Sequence, residues 1–239
     1  MKKRLDQLLS SLGYGSRKEL KSIIQSGAVT LNGQRVSKPE TKVEHQEVRF
    51  RGERLDPPEG MVIMMHKPLG VVCSHDDTEG ELVYALLSER YRQRSPKLST
   101  VGRLDKETSG LLLITDDGKL IHALTSPKKR VFKRYEVSLA EPLNGEEAAL
   151  FASGTLMLKG EKNPCLPARL SIYDEQHVAL EITEGRYHQV RRMFAAVSNK
   201  VIALHRSRVG GLELGALKPG EYRLLSAEEV SLCSEEISS

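Results

Sequence analysis

The feature that most constrains this chain is the run Leu111-Leu112-Leu113-Ile114, set between Gly110 and the turn residues Asp116-Asp117-Gly118. A short, unbroken apolar run between turn signals predicts a strand buried on both faces, so the fold must supply a layer on each side of it. Just upstream, Gly102-Arg103-Leu104-Asp105-Lys106-Glu107-Thr108-Ser109 forms a polar loop that places one carboxylate, Asp105, on this rigid floor. An acid backed by a core strand and flanked by Arg103 can be aimed, as a catalytic carboxylate must be. A turn or a surface ion pair uses the same residues, and the local pattern leaves both readings open.

The chain has 239 residues, enough for one large core or for a small domain beside a medium one. No apolar run approaches a membrane span, and Met1-Lys2-Lys3-Arg4-Leu5-Asp6 lacks the apolar segment of a signal peptide, so a cytoplasmic protein without a membrane partner is expected. Cys73, Cys165 and Cys233 are odd in number, far apart and without metal-ligand spacing, and the seven histidines form no close ligand pair. Neither disulfides nor a metal site are expected. Residues 1–60 hold twelve Lys/Arg against eight Asp/Glu, while the remainder balances at 24 against 24. The N-terminal segment thus carries the whole excess of +4, which suits an acidic partner such as nucleic acid and equally a solvated basic face.

In that segment Leu5, Leu8, Leu9 and Leu12 fall at i, i+3, i+4 and i+7, the stripe of a short helix stopped by Gly13 and Gly15. Ser16-Arg17-Lys18-Glu19 matches a capping box, and Leu20, Ile23 and Ile24 give the next helix its buried face up to Gly27. Arg17, Lys18 and Lys21 lie on its exposed side, available to phosphates. Ala28-Val29-Thr30-Leu31, Asn32-Gly33 and Gln34-Arg35-Val36 read as a hairpin with a two-residue turn, and Val48-Arg49-Phe50 adds a strand. This pattern resembles the S4-type RNA-binding module at Arg4-Leu5-Asp6, Ser16-Arg17, Gly27-Ala28-Val29 and Asn32-Gly33. The resemblance implies docking to the backbone of a folded RNA.

Residues 51–60 are charged, aperiodic and contain two prolines, the composition of a linker. From Met61 the pattern predicts a buried strand over 62–66, a second over 71–73, a helix over 82–91 with Val83, Leu86 and Leu87 inward, and a short helix over 119–124. Lys128-Lys129-Arg130 and Lys133-Arg134 crowd five cations around Val131-Phe132, directly before the alternating strand 135–139. Cations there can hold phosphates while Tyr135 stacks on an unpaired base; a solvated strand edge with protective charges fits as well. A helix is expected over 146–153 and two strands within 166–183. Val190, Met193, Phe194 and Val197 then define the core face of another helix, beside a stripe of His188, Arg191, Arg192 and Ala195. Cations abutting an apolar stripe need a negative partner, a carboxylate or a phosphate, and Asp105 is a candidate. Strands at 201–206 and 211–214, a turn and strand over 217–223, a cap at Ser226 and a frayed tail over 232–239 complete the chain.

Three segments in order, Gly102-Arg103-Leu104-Asp105 with Thr108-Ser109-Gly110-Leu111-Leu112, then Lys133-Arg134-Tyr135, then Glu184-Gly185-Arg186-Tyr187-His188-Gln189-Val190-Arg191-Arg192-Met193, are similar to the motifs of the S4-domain-containing ribosomal RNA pseudouridine synthases. Tyr187-His188-Gln189 and Leu204-His205-Arg206 resemble the members acting on the small-subunit RNA more than those acting on large-subunit RNA. His66 departs from the family, which usually has Asn before Lys-Pro. The resemblance implies an α+β fold: a small S4-type α/β module over 1–50, a linker over 51–60, and a catalytic domain over 61–231 with a central mixed, mostly antiparallel sheet flanked by helices. It implies Asp105 as the catalytic residue, supported by Arg191, Tyr135 and Arg103. Arg191 would pair with Asp105, with Arg186 and Arg192 as substitutes; Tyr135 would stack on the extruded uracil; Arg103 would fill the vacated space or hold a neighbouring phosphate. Arg4, Arg17, Lys18, Lys21, Lys133, Arg134, Arg186, His188 and Arg192 are the expected RNA-binding residues. Moving the ribose link from N1 to C5 of uracil needs no redox partner, energy donor or metal, so no cofactor is expected. The implied partner is ribosomal RNA, 16S in an assembling small-subunit particle, met by a monomer. The alternatives are the same chemistry on 23S RNA, or a ribosome-assembly factor that binds RNA without chemistry.

Overall fold

The computed structural model describes residues 2–126 and 129–234. Pro127, Lys128 of the cation cluster and residues 235–239 of the expected tail lie outside the described residues. The chain divides into two compact units: Met1–Val62 with Tyr84–Ser99 and Thr115–Asp117, and Ile63–Val83 with Thr100–Ile114 and Gly118–Ser239.

In the first unit β1 (Lys3–Arg4), α1 (Leu5–Ser11), α2 (Arg17–Gln25), β2 (Val29–Leu31), β3 (Gln34–Arg35), β4 (Lys42–Val43), β5 (Val48–Phe50) and β6 (Glu53–Arg54) follow in order. The two helical stripes bury Leu5, Leu8, Leu9, Leu12, Leu20 and Ile24 against Val29, Val43 and Val48. Ser16 caps α2 as its sequence predicts: its hydroxyl accepts from the Glu19 N–H, and the Glu19 carboxylate accepts from the Ser16 N–H at 2.8 Å. Asn32 and Gly33 take φ of 50° and 82°, the pair of positive values a two-residue hairpin turn needs.

The stretch 51–60 is not a free linker. Glu53–Arg54 pair with β5, and Leu55 is buried in the same core, because the apolar Leu55 gains more from burial than its charged neighbours lose at the surface. The single helix expected over 82–91 is also two pieces, a 3-10 turn over Val83–Leu86 and α3 (Glu89–Arg92). Ser88 interrupts it with an extended backbone, ψ 151°, and the second piece starts after it without a side-chain cap bond. Beyond α3, Arg94 pairs with Asp116 at 2.9 Å, both side chains 1% exposed, and donates to the Pro57 carbonyl at 2.8 Å. The other Asp116 oxygen accepts the Met61 N–H at 3.0 Å.

The second unit is built on β7 (Val62–Lys67), β8 (Ser99–Thr100), β9 (Ser109–Thr115), α4 (Gly118–Thr125), β10 (Lys133–Leu139), α5 (Glu147–Ser153), β11 (Arg169–Ile172), β12 (His177–Ile182), α6 (Gln189–Ala196), β13 (Val201–Val209), β14 (Leu212–Glu213), β15 (Tyr222–Leu224) and α7 (Ala227–Leu232). Its sheet runs β11-β12-β10-β13-β9-β7-β15, with β14 on β13 and β8 on β9. The β11–β12, β10–β12, β10–β13 and β7–β15 pairs are antiparallel, while β9 and β13 are parallel. The fold is therefore α+β with a mixed, mostly antiparallel sheet. Residues 71–73, expected as a strand, contribute only one bridge, Val72 to Leu82.

Leu111 to Ile114 are at most 1% exposed, so β9 is buried on both faces as its unbroken apolar run requires. Gly110 begins that run at φ 114°, and a Cβ there would stand 2.2 Å from the Arg206 carbonyl oxygen. Only glycine lets β9 and β13 approach this closely. Helix α6 buries Val190, Met193 and Phe194, and Phe194 meets Phe151 of α5 edge to face at 5.3 Å. Among the described residues no helix is long and apolar enough to cross a membrane.

Candidate active site

The loop carrying Asp105 is fastened from beneath. Lys67, at the end of β7 and fully buried, donates to the carbonyls of Asp105 at 3.0 Å, Thr108 at 2.9 Å and Pro68 at 3.0 Å. The Thr108 N–H closes the turn on the Asp105 carbonyl at 3.0 Å. Burial pushes the Lys67 ammonium below its ordinary pKa, and the three carbonyls are what an ammonium in such a place needs. With its backbone held, Asp105 projects a carboxylate that is 29% exposed, Oδ1 standing 3.5 Å from Nε2 of His188.

That carboxylate opens on a cavity of about 620 Å³, lined among others by Arg103, Lys133, Tyr135, His188, Leu204 and Arg206. Clefts of this size hold small ligands with a few fixed polar groups. Strands β10 and β13 form part of its wall, and their register slips between Arg134 and Tyr135, which faces Arg206 rather than Ser207. Such a bulge re-aims side chains beside a site. Tyr135 is 8% exposed, and its hydroxyl lies 3.5 Å from Nη1 of Arg206, whose Nε donates to the Leu111 carbonyl at 2.8 Å. Burial, with the Arg206 charge adding to it, brings the Lys133 ammonium down to about 8.

The structure places the expected residues unevenly. Asp105, Arg103, Tyr135, Lys133, His188 and Arg186 line one cavity. The expected pairing of Arg191 with Asp105 is replaced by bracing: Arg191 donates to the carbonyls of Val201 at 3.1 Å and Glu107 at 2.9 Å, holding the Asp105 loop by its backbone. Arg186 and Arg192 do not substitute for it. Arg186 bonds Glu184 at 3.0 Å and the carbonyls of Asn163 and Pro164, while Arg192 bonds Glu161 at 2.8 Å and the carbonyl of Lys159. Within the expected stripe Arg192 thus takes Glu161 as its negative partner, His188 stands 3.5 Å from Asp105, and Arg191 is satisfied by carbonyls.

Lys133 and Arg134 part company because successive strand residues point to opposite faces. Lys133 joins the cavity, whereas Arg134 enters a network with Glu136, Glu181 and Tyr173 in a separate depression that also holds Arg208, itself paired with Glu181. In the first unit Arg17, Lys18 and Lys21 are exposed on α2. Arg4 instead makes a two-pronged contact with Asp6, at 3.0 and 2.8 Å, and this holds the Asp6 carboxyl below its ordinary pKa. His66 bonds the Leu217 carbonyl at 2.7 Å through its ring, so the departure from Asn is spent on a strand end outside the cavity.

Two residues at the site went unread in the sequence, Lys67 and Arg206. Each had a signal: Lys67 closes an apolar run before Pro68, and Arg206 keeps the inward period of two set by Leu204.

The family model for RNA pseudouridylate synthase matches residues 61–196, and that for the S4 domain matches residues 3–48. The ribosomal small subunit pseudouridine synthase A of Vibrio vulnificus is 45% identical over 231 residues, covering 95% of this chain and 97% of its own. That of Escherichia coli is 42% identical over 232 residues, covering 95% and 98%. A solved pseudouridylate synthase structure overlays with a TM-score of 0.68 at 41% identity, covering 96% of this chain and 99% of its own. A family match over more than half of the chain, and relatives above 40% identity over nearly their full length, show that the chain belongs to the RNA pseudouridylate synthase family and carries an S4 domain at its N-terminal end.

Proposed function

We propose that this chain converts uridine 516 of 16S ribosomal RNA to pseudouridine, acting as a cytoplasmic monomer on an assembling small-subunit particle. The observation that carries the reading is Asp105: a carboxylate on a backbone pinned by Lys67, opening on a cavity walled by Tyr135. The small-subunit target is supported by the names of the relatives that match over nearly their full length. Residues 1–50 serve as the RNA-docking module, with Arg17, Lys18 and Lys21 toward phosphates, and residues 61–231 carry the reaction.

The reaction is an isomerisation. The N1–C1′ bond breaks, the uracil turns within the cavity, a C5–C1′ bond forms, the C5 proton departs to a base and N1 takes up a proton. Asp105 begins the cleavage by attacking the sugar or the base or by assisting glycal formation. The target base leaves its stack to reach Asp105, and Arg103, exposed at the rim, takes the vacated space or the neighbouring phosphate. Tyr135 meets the face of the uracil and excludes water, Arg206 keeps the Tyr135 hydroxyl in place, and Arg191 braces the loop.

The test is to incubate the purified protein with an assembling small-subunit particle whose 16S RNA lacks pseudouridine and to map pseudouridine along that RNA, with Asp105→Asn in parallel. One new pseudouridine at position 516 with the wild type and none with the variant is expected. No modification despite tight binding overturns the 16S assignment, and the same assay on 23S RNA then separates a different target from a protein that only binds.

A further inference from the structure

We infer that Tyr187 and His188 form a stacking ledge for a nucleotide adjacent to the target uridine; this rests on the function proposed above and adds a substrate-positioning element to it. The two rings lie 3.9 Å apart and within 16° of parallel. Tyr187 is 75% exposed, more than any other large apolar or aromatic side chain among the described residues, so core packing does not account for it. One of its faces rests on His188 and the other is open, at the margin of the cavity both residues line.

The ledge is built rather than loose. His188 takes φ 48°, a left-handed conformation few non-glycine residues adopt, directly before α6. Bonds on both sides hold it there: Arg192 donates to the Tyr187 carbonyl at 3.0 Å, and the Arg186 N–H donates to the side chain of Gln189, which is anchored on Glu184 at 2.7 Å. Backbone strain over-determined by its surroundings is characteristic of working positions. Arg192 thereby acquires a purpose in the fold, since its guanidinium holds the Tyr187 carbonyl, while Arg186 contributes through its backbone N–H.

The geometry also says which nucleotide it serves. His188 touches Asp105 at 3.5 Å. A base on the open face of Tyr187 lies two stacking layers, about 7 Å, from the His188 ring, given a spacing of about 3.4 Å per layer. That base is one step removed from the reacting uracil, which Asp105 must reach. Extruding the target deprives its neighbour of a stacking partner, and an aromatic face replaces that partner without regard to sequence.

The experiment compares steady-state rates of pseudouridine formation by wild type, Tyr187→Ala and Tyr187→Phe on reconstituted small-subunit particles. One particle carries intact 16S RNA, and the others lack the base on the 5′ side of the target, the 3′ side, or both. On intact RNA, Tyr187→Ala is expected to lower kcat/KM about tenfold through KM, and Tyr187→Phe to restore most of it. Removing the base that uses the ledge should make wild type and Tyr187→Ala equal, with the melting temperatures of the variants unchanged. Equal rates for wild type and Tyr187→Ala on intact RNA overturn the ledge, as does an undiminished difference when both flanking bases are gone. Absence of pseudouridine from the wild type on every particle overturns the proposed function itself, and the ledge with it.

Discussion

Asp105 and Asp116 stand before and after the same strand, β9, eleven residues apart by number, and their surroundings give them opposite tasks. Asp116 is buried to 1%, meets the Arg94 guanidinium at 2.9 Å and accepts a backbone N–H with its other oxygen. Asp105 is fastened chiefly by its backbone, and its carboxylate, with His188 3.5 Å away, is left 29% exposed toward a cavity. A buried carboxylate with both oxygens engaged is closed to a ligand, and one left open adds little to stability. The comparison teaches that holding the main chain and freeing the side chain is how this fold makes an acid available.

The largest effect that would break this contrast is catalytic. Asp105→Asn is expected to reduce pseudouridine formation by about 10⁴-fold or more while the melting temperature stays put, measured by product mapping beside thermal unfolding. A variant that unfolds instead would put Asp105 in the same class as Asp116. Asp116→Ala should do the reverse. It leaves the Arg94 cation buried without its partner, an arrangement that costs about 3–5 kcal/mol, and denaturant unfolding should show that loss while the rate per folded molecule is kept. The double change Arg94→Met with Asp116→Leu should recover much of the stability, since apolar residues replace a buried pair well.

Lys67→Met sharpens the point that the loop is held by its backbone. It strands three carbonyls, and small displacements of a reacting group are worth about 10²-fold, so kcat should fall by that order while RNA affinity changes little. An unchanged kcat in a folded variant would show that Arg191 and the Thr108 turn suffice to place Asp105.

The smallest effect is on pH. The Lys133 ammonium titrates at about 8 in the folded chain, below its ordinary 10.5. Below pH 8 the folded protein therefore carries this charge against its burial, and as pH climbs from about 8 to 10.5 that burden fades and folding stability gains. Affinity for RNA moves the opposite way, because the cavity loses a cation as pH passes 8. Dissociation constants measured from pH 7 to 9 should weaken a few-fold in the wild type and stay level in Lys133→Arg, whose charge does not titrate in this range. Parallel curves for the two proteins would remove Lys133 from the contacts with phosphate.

Much of this was legible because the signals were local. The Ser16 capping box, the Asn32-Gly33 turn and the unbroken Leu111-Ile114 run depend on neighbours in sequence, and each appears where its pattern puts it. Leu55 and the Arg94–Asp116 pair were not legible, since their burial is set by segments distant in the chain. The cations of α6 are the instructive case. Their abutment on an apolar stripe demanded partners, but the pattern held no distance information: Arg192 takes the acid Glu161, Arg191 takes two carbonyls, and the place facing Asp105 falls to His188 just before the helix.

The sequence by itself determined the class of fold, the S4-type start and the acid-bearing loop, because hydrophobic periodicity, turn residues and capping act over a few positions. The tertiary structure alone decided which cations face Asp105, which of the two sheet faces carries the cavity that Lys133 joins, and that Tyr187 stands open above His188. Those outcomes depend on register and on distances of a few ångströms between residues far apart in the chain, quantities that exist only once the strands have paired.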